Sequence, residues 1–269
     1  MLLSGKLGKV GSTSSNPPLQ ELFLSDLKIA IEDMHTTAPL PSTYYAPSGM
    51  NCIRQMYYKR IGTVPDSEQD LLYSDIGMAD TGTRRHEAIQ EALEFMSTQP
   101  HCRFQYVDVA QYVKEKQDQG ICQNLVVKGK RGSETELWHK RLDINFRCDG
   151  IILDKLENHF YLFEFKNQIS FKASNKTAVD LAHHNQVTVY CALLDLQDAF
   201  VVYENRDNCN LYCPEVYHVS EYEKAQMLKK IKQCEEHVRQ KVVPDIPESI
   251  SQTECKYCRY KHTCRLNKE

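Results

Sequence analysis

Arg147-Cys148-Asp149-Gly150-Ile151-Ile152-Leu153-Asp154-Lys155-Leu156-Glu157-Asn158-His159-Phe160-Tyr161-Leu162-Phe163-Glu164-Phe165-Lys166 reads as two β-strands joined by a tight polar turn. Apolar runs flank Asp154 to Asn158, whose composition is that of a hairpin loop. Side chains alternate across a strand, so Glu164 and Lys166 share one face while Phe165 points into the core. A hairpin sets Asp149, on the neighbouring strand, beside Glu164. Two carboxylates converging next to an ammonium make a hard-oxygen site that suits Mg²⁺ or Mn²⁺. Lys166 is then placed to orient a water, or help deprotonate it, and to steady charge on a phosphate. Alone, an acidic residue followed by Glu-x-Lys is a weak signal, because such a strand end is most often a solvated edge.

With 269 residues the chain can form one large domain or two small ones. A net charge of −3 excludes a protein coated in basic residues, so any nucleic-acid contact must come from a local groove. Met1-Leu2-Leu3 is too short for the apolar part of a signal peptide, and no run is long enough to cross a bilayer. The expectation is a cytoplasmic chain with no membrane partner. Eleven cysteines, odd in number and irregularly spaced, argue against a disulfide framework and for ligation of a metal or cluster by a subset. The GxxxxGK[ST] phosphate loop is absent, which excludes a helicase or ATPase motor in this sequence.

Residues 1–18, rich in Gly, Ser, Lys and Pro, read as a flexible tail, and 19–269 as a single domain. Leu19 to Met34 has apolar residues at helical spacing. A second helix is expected with Ser48 as N-cap, carrying Cys52, Met56, Tyr57 and Tyr58. Asp75 to Met96 reads as a longer helix bearing His86, with Arg84 and Arg85 beside it as a small basic face that could meet phosphate. A lone helical histidine is more often structural than a ligand. From Arg103 to Phe146, short alternating runs read as strands of a mixed sheet, with Lys128 to Ser133 as a hairpin loop. Ile169 to Lys176 reads as a loop near the site. Thr177 to Leu196 is expected as a helix on which Gln186 and Tyr190, four apart, share a face. Ala199 to Tyr203 and Leu211 to Val216 are further strands, and Ser220 caps a long charged helix. Near the end, Cys255, Cys258 and Cys264 form C-x₂-C-x₅-C, a strong ligand signal that needs a fourth donor. His262 and the distant Cys52 are the candidates.

One helical Cys ahead of the Asp and Glu-x-Lys strands, with three Cys after them, resembles the iron–sulfur branch of the RecB-like nucleases in the PD-(D/E)xK superfamily. That branch includes the CRISPR-associated RecB-like exonucleases and the AddB nuclease domain. The resemblance runs from about Ser48 to Cys264. It places the family's Gly-x-x-x-His on Gly82 and His86, its Asp on Asp149, its Glu-x-Lys on Glu164 and Lys166, and its Gln-x-x-x-Tyr on Gln186 and Tyr190. The glycine that members often carry shortly before the Asp is absent here, where Asn145, Phe146, Arg147 and Cys148 stand.

The resemblance implies an α/β nuclease core, a mixed central sheet flanked by helices, with an iron–sulfur knuckle joining the two ends (about 48–60 and 250–269). It implies that His86, Asp149, Glu164 and the backbone carbonyl of Phe165 hold Mg²⁺ or Mn²⁺, with Asp149, Glu164 and Lys166 performing the chemistry. Gln186 and Tyr190 lie beside the metal and the DNA. Cys52, Cys255, Cys258 and Cys264 ligate a [4Fe-4S] cluster, with Zn²⁺ as the alternative that spacing leaves open. The implied activity is metal-dependent phosphodiester hydrolysis of DNA, by an exonuclease acting on single strands or ends. The alternative is a DNA-gripping and trimming subunit working with a helicase, integrase or recombination partner.

Overall fold

The computed structural model describes residues 18–35, 41–66, 73–131, 134–169 and 177–266. The expected tail, Pro18 apart, and most of the loop after Ile169 lie outside the described residues. The fold is mixed α/β: a central mixed sheet flanked by helices, with a second, three-stranded antiparallel sheet beside it.

The hairpin is present as read. Strand β5 (Gly150–Asp154) pairs antiparallel with β6 (His159–Gln168), Gly150 standing opposite Phe163. On its other side β6 runs parallel to β7 (Asp198–Asn205), which makes the sheet mixed. Strand β1 (Phe104–Val107) closes one edge on β5. The stretch expected as one strand over Leu211 to Val216 divides into β8 (Leu211–Tyr212) and β9 (Val216–His218), both on β7.

The parity of β6 divides the interior. Phe163 and Phe165 face a smaller core with Ile152, covered by Ile89 and Leu93 of the helix Tyr73–Ser97. Leu162 faces the larger core. That core is filled by Val109, Tyr112 and Val113 of the helix Val109–Asp118, by Val187, Val189 and Cys191 of Leu181–Leu194, and by Met227 and Ile231 of Glu221–Gln240. Helices therefore cover both faces, and period-2 alternation sends Glu164 and Lys166 to the side opposite Phe165.

The second sheet is β2 (Leu125–Arg131), β3 (Glu134–His139) and β4 (Ile144–Cys148). The chain leaves this sheet after Cys148 and enters the central one at Gly150, so Asp149 stands at the junction between them.

We label the helices in order α1 (Leu19–His35), α2 (Ile53–Arg60), α3 (Tyr73–Ser97), α4 (Val109–Asp118), α5 (Leu181–Leu194), α6 (Glu221–Gln240), α7 (Gln252–Lys256) and α8 (Lys261–Leu266). Three further sequence expectations are corrected. Ser48 lies inside a short 3₁₀ turn, Pro47–Gly49, and Cys52 is the N-cap of α2. Pro47 fixes a φ that favours the turn and starts it early. Lys128 to Arg131 is strand, not loop, because Lys130 and Arg131 pair with Thr135 and Glu134 across a register shift at Gly129. Helix α4 occupies a stretch expected to hold only strands. Asp108 caps it by accepting from the Gln111 N–H at 3.0 Å, and Val109, Tyr112 and Val113 form its buried face. Helix α1 forms as expected, but its apolar residues, Phe23 and Met34 among them, stay exposed.

Candidate active site

Asp149 is buried and uses both carboxylate oxygens. Oδ2 accepts from the Phe165 N–H at 2.7 Å, and Oδ1 lies 3.3 Å from Nδ1 of His86. The first contact ties the junction residue to the backbone of β6, midway between Glu164 and Lys166. The second draws in α3, whose His86 ring also meets the Phe165 ring edge-on at 5.0 Å. Asp149 needs Gly150 after it. A Cβ at Gly150 would stand 2.7 Å from the ring of Tyr106, which Gln90 and Ser97 hold in place.

Continuing the β5–β6 register by one residue puts Asp149 opposite Glu164. Glu164 Oε1 receives the Lys166 ammonium at 2.6 Å and Nε2 of Gln186 at 2.9 Å. Lys166 also donates to Gln186 Oε1 at 3.2 Å, and Gln186 donates to the Tyr190 hydroxyl at 2.8 Å. Gln186 and Tyr190 thus share the α5 face that points at the site, and Tyr190 is seated by stacking on Phe146.

Burial sets the protonation of this group. It pushes the Glu164 carboxyl up to about 7, with Lys166 working against it and Asp149 adding to it. Burial works hardest against the Lys166 ammonium, but the Glu164 charge and hydrogen bond, with the charges of Asp149 and Glu134, together outweigh it and leave its pKa raised. The same balance holds for His86, where the Asp149 hydrogen bond and charge overcome desolvation and raise the pKa.

His86, Asp149, Glu164, Lys166, Gln186 and Tyr190 all line one cleft of about 540 Å³. The ligand atoms do not all gather to one point. Among the described His, Cys, Asp and Glu residues, the trio whose ligand atoms lie within 4.8 Å of one another is His86, Glu134 and Asp149. Glu164 stands outside that trio, its Oε1 drawn onto Lys166 and Gln186. Glu134 was not singled out in the sequence. The signal for it was nonetheless present: pairing Leu137 with Phe146 puts Thr135 opposite Cys148, and the next step sets Glu134 opposite Asp149.

The basic face expected at Arg84 and Arg85 is divided. Arg84 is exposed, whereas Arg85 is turned onto the buried carboxylate of Glu204, which Asn167 also contacts. An arginine so paired is a brace between α3 and β7 and not a free phosphate ligand. His183 and His184 are likewise occupied, by the Tyr203 hydroxyl and by Glu223.

The four cysteines come together from opposite ends of the chain. Burial raises the Cys52 thiol, and the neighbouring Cys264 and Cys255 add to it. Cys258 is raised by burial and then by Cys52, Cys264 and Cys255. The terminal segment is docked by Asp66, whose carboxylate accepts from the His262 N–H at 2.6 Å, the Thr263 N–H at 3.3 Å and the Thr263 hydroxyl at 2.8 Å. Asp66 thus caps α8 from a distant part of the chain. Tyr260 packs on Tyr58 of α2 with ring centroids 5.8 Å apart. Arg259 and Tyr260, from between these cysteines, and Gln55 and Lys59 of α2 form one wall of the cleft. His262 is exposed, and its backbone N–H bonds Asp66.

No family model matches the chain, and no curated protein matches it. Two similar solved structures are a crystal structure of SSO0001 and one of LHK-Exo in complex with dAMP. The first is 16% identical, covers 93% of this chain and 97% of its own, and has a TM-score of 0.45. The second is 10% identical, covers 78% of this chain and 93% of its own, and has a TM-score of 0.40. At these scores neither likeness assigns a role to any residue of this chain.

Proposed function

We propose that the chain is a metal-dependent DNA nuclease of the RecB-like kind, acting on single strands or ends. The observation that carries this reading is the single cleft lined by His86, Asp149, Glu164, Lys166, Gln186 and Tyr190. His86 and Asp149 would ligate Mg²⁺ or Mn²⁺, with Glu164 and the Phe165 carbonyl completing the set. The mixed imidazole and carboxylate donors fit a hard divalent ion. Such an ion neutralises charge on the phosphate when bound. The chain's own groups do the rest. Lys166, held by Glu164 and Gln186, presents an ammonium to the reacting phosphate and a donor to the attacking water. Gln186 fixes both partners, and Tyr190 fixes Gln186. Tyr44, exposed at the cleft, offers a ring for a base to stack on, and Lys59, Arg147 and Arg259 offer charge to the backbone.

We read the four cysteines as ligands of an iron–sulfur core, with a structural zinc ion the alternative. Cys52, Cys255, Cys258 and Cys264 act on one another's charge, and four thiolates are a donor set that either group takes.

The test is degradation of an end-labelled single strand with Mn²⁺ by the wild type, Glu164→Ala and Lys166→Ala. Each variant is expected to lose about 10²-fold or more in rate. Variants as fast as the wild type would remove the assignment.

A further inference from the structure

We propose that Glu134 is an additional ligand of the divalent cation, and that its ion pair with Arg147 is a latch the cation opens, freeing Arg147 for a substrate phosphate. This rests on the nuclease reading of the same cleft. Glu134 comes from the second sheet and reaches the site from the side opposite Glu164. The β3–β4 register sets it across from Asp149, as the β5–β6 register sets Glu164 across from Asp149. Asp149 is therefore flanked by one carboxylate from each sheet. Only the flank from the second sheet joins His86 in a trio within 4.8 Å, the compactness a small cation needs.

In this structure the Glu134 charge is answered by Arg147, whose guanidinium lies 2.6 Å from Oε2. Arg147 is 48% exposed on its side chain and lines the cleft, while Glu134 is 23% exposed and turned inward. A divalent ion beside His86 and Asp149 competes with Arg147 for the same carboxylate. Once the ion holds Glu134, the guanidinium loses its partner at the mouth of the cleft, where a phosphate can accept its two-pronged donation. Cation binding and substrate binding are then coupled through one side chain.

The experiment is Mn²⁺ titration of the full chain, read by loss of the free-ion electron paramagnetic resonance signal without nucleic acid. It is paired with oligonucleotide affinity. Glu134→Gln is expected to weaken Mn²⁺ binding about tenfold or more. Arg147→Gln is expected to leave Mn²⁺ binding equal or tighter, yet weaken a single-stranded oligonucleotide in the presence of Mn²⁺. If Glu134→Gln does not fold, Glu134→Asp, which keeps the charge but shortens the reach, is expected to weaken Mn²⁺ in the same direction. Unchanged Mn²⁺ affinity in the Glu134 variants overturns the proposal, as does equal weakening by Glu134→Gln and Arg147→Gln, the result of a purely structural ion pair. A wild type that binds Mn²⁺ and cleaves while Glu134→Gln binds it equally removes only this inference. A wild type that binds no Mn²⁺ removes the nuclease reading as well.

Discussion

Gly150 shows how much one missing methyl controls. The residue has no need of an unusual backbone angle; it is required because the Tyr106 ring occupies the space a Cβ would take. Tyr106 cannot retreat easily, since its hydroxyl accepts from Gln90 and its N–H donates to Ser97. Gly150→Ala should therefore cost about 1–3 kcal/mol of stability, measured by denaturant unfolding. Because Asp149 is the residue before it, the same variant should also lower Mn²⁺ affinity. The residue types at the site were readable from sequence because Glu-x-Lys fixes parity and a spacing of four fixes a helix face. The partner of Arg85 was not readable, since Glu204 lies 119 positions away and only the tertiary fold brings it close.

At the level of elements, helix α6 has the best-defined start. Ser220 and Glu223 form a reciprocal capping box, and the Tyr217 hydroxyl adds a further bond to Glu223. Hydrogen bonds from Ser220 lower the Glu223 carboxyl from an ordinary 4.5 to about 2. A depressed carboxylate stabilises the fold above its unfolded pKa and loses that contribution as the pH falls through the folded one. Glu223→Gln should thus be less stable than the wild type by about 1 kcal/mol at neutral pH. The difference should close as the pH drops from 4.5 toward about 2, followed by urea unfolding at several pH values. Ser220 was legible because a capping residue before a long amphipathic run is a local signal. Helix α4 was missed because it is short and sits among β-like segments, where Val109 and Val113 read equally well as strand residues. The passage of the chain from one sheet to the other at Asp149 has no local signature at all, and Glu134 could be found only by carrying the β3–β4 register one step past the last paired residue.

On the scale of the whole molecule, Cys52 and the three C-terminal cysteines are neighbours in space although some two hundred positions separate them. Cys52 begins α2, and Cys255, Cys258 and Cys264 lie on the last segment, docked by Asp66 and Tyr260. An inorganic core of the kind proposed, tying Cys52 to Cys255, would restrict an unfolded loop of some two hundred residues, worth up to about 5 kcal/mol by loop-closure entropy. Cys52→Ser should therefore lower the unfolding midpoint far more than Cys102→Ser, a comparison that denaturant curves on the two purified variants would settle. The C-x₂-C-x₅-C spacing was legible because its ligands are neighbours in sequence. That Cys52 meets them follows from how α2 packs, which no short-range pattern reports.

The seam at Asp149 carries one more implication. A cation gripped from both sides of that residue would act as a rivet where the chain passes directly from one sheet to the other. Its arrival would then hold the two sheets at one separation, as a pin holds a calliper. The groove's width, and with it the thickness of polymer admitted, would be steadier with the ion seated than without it.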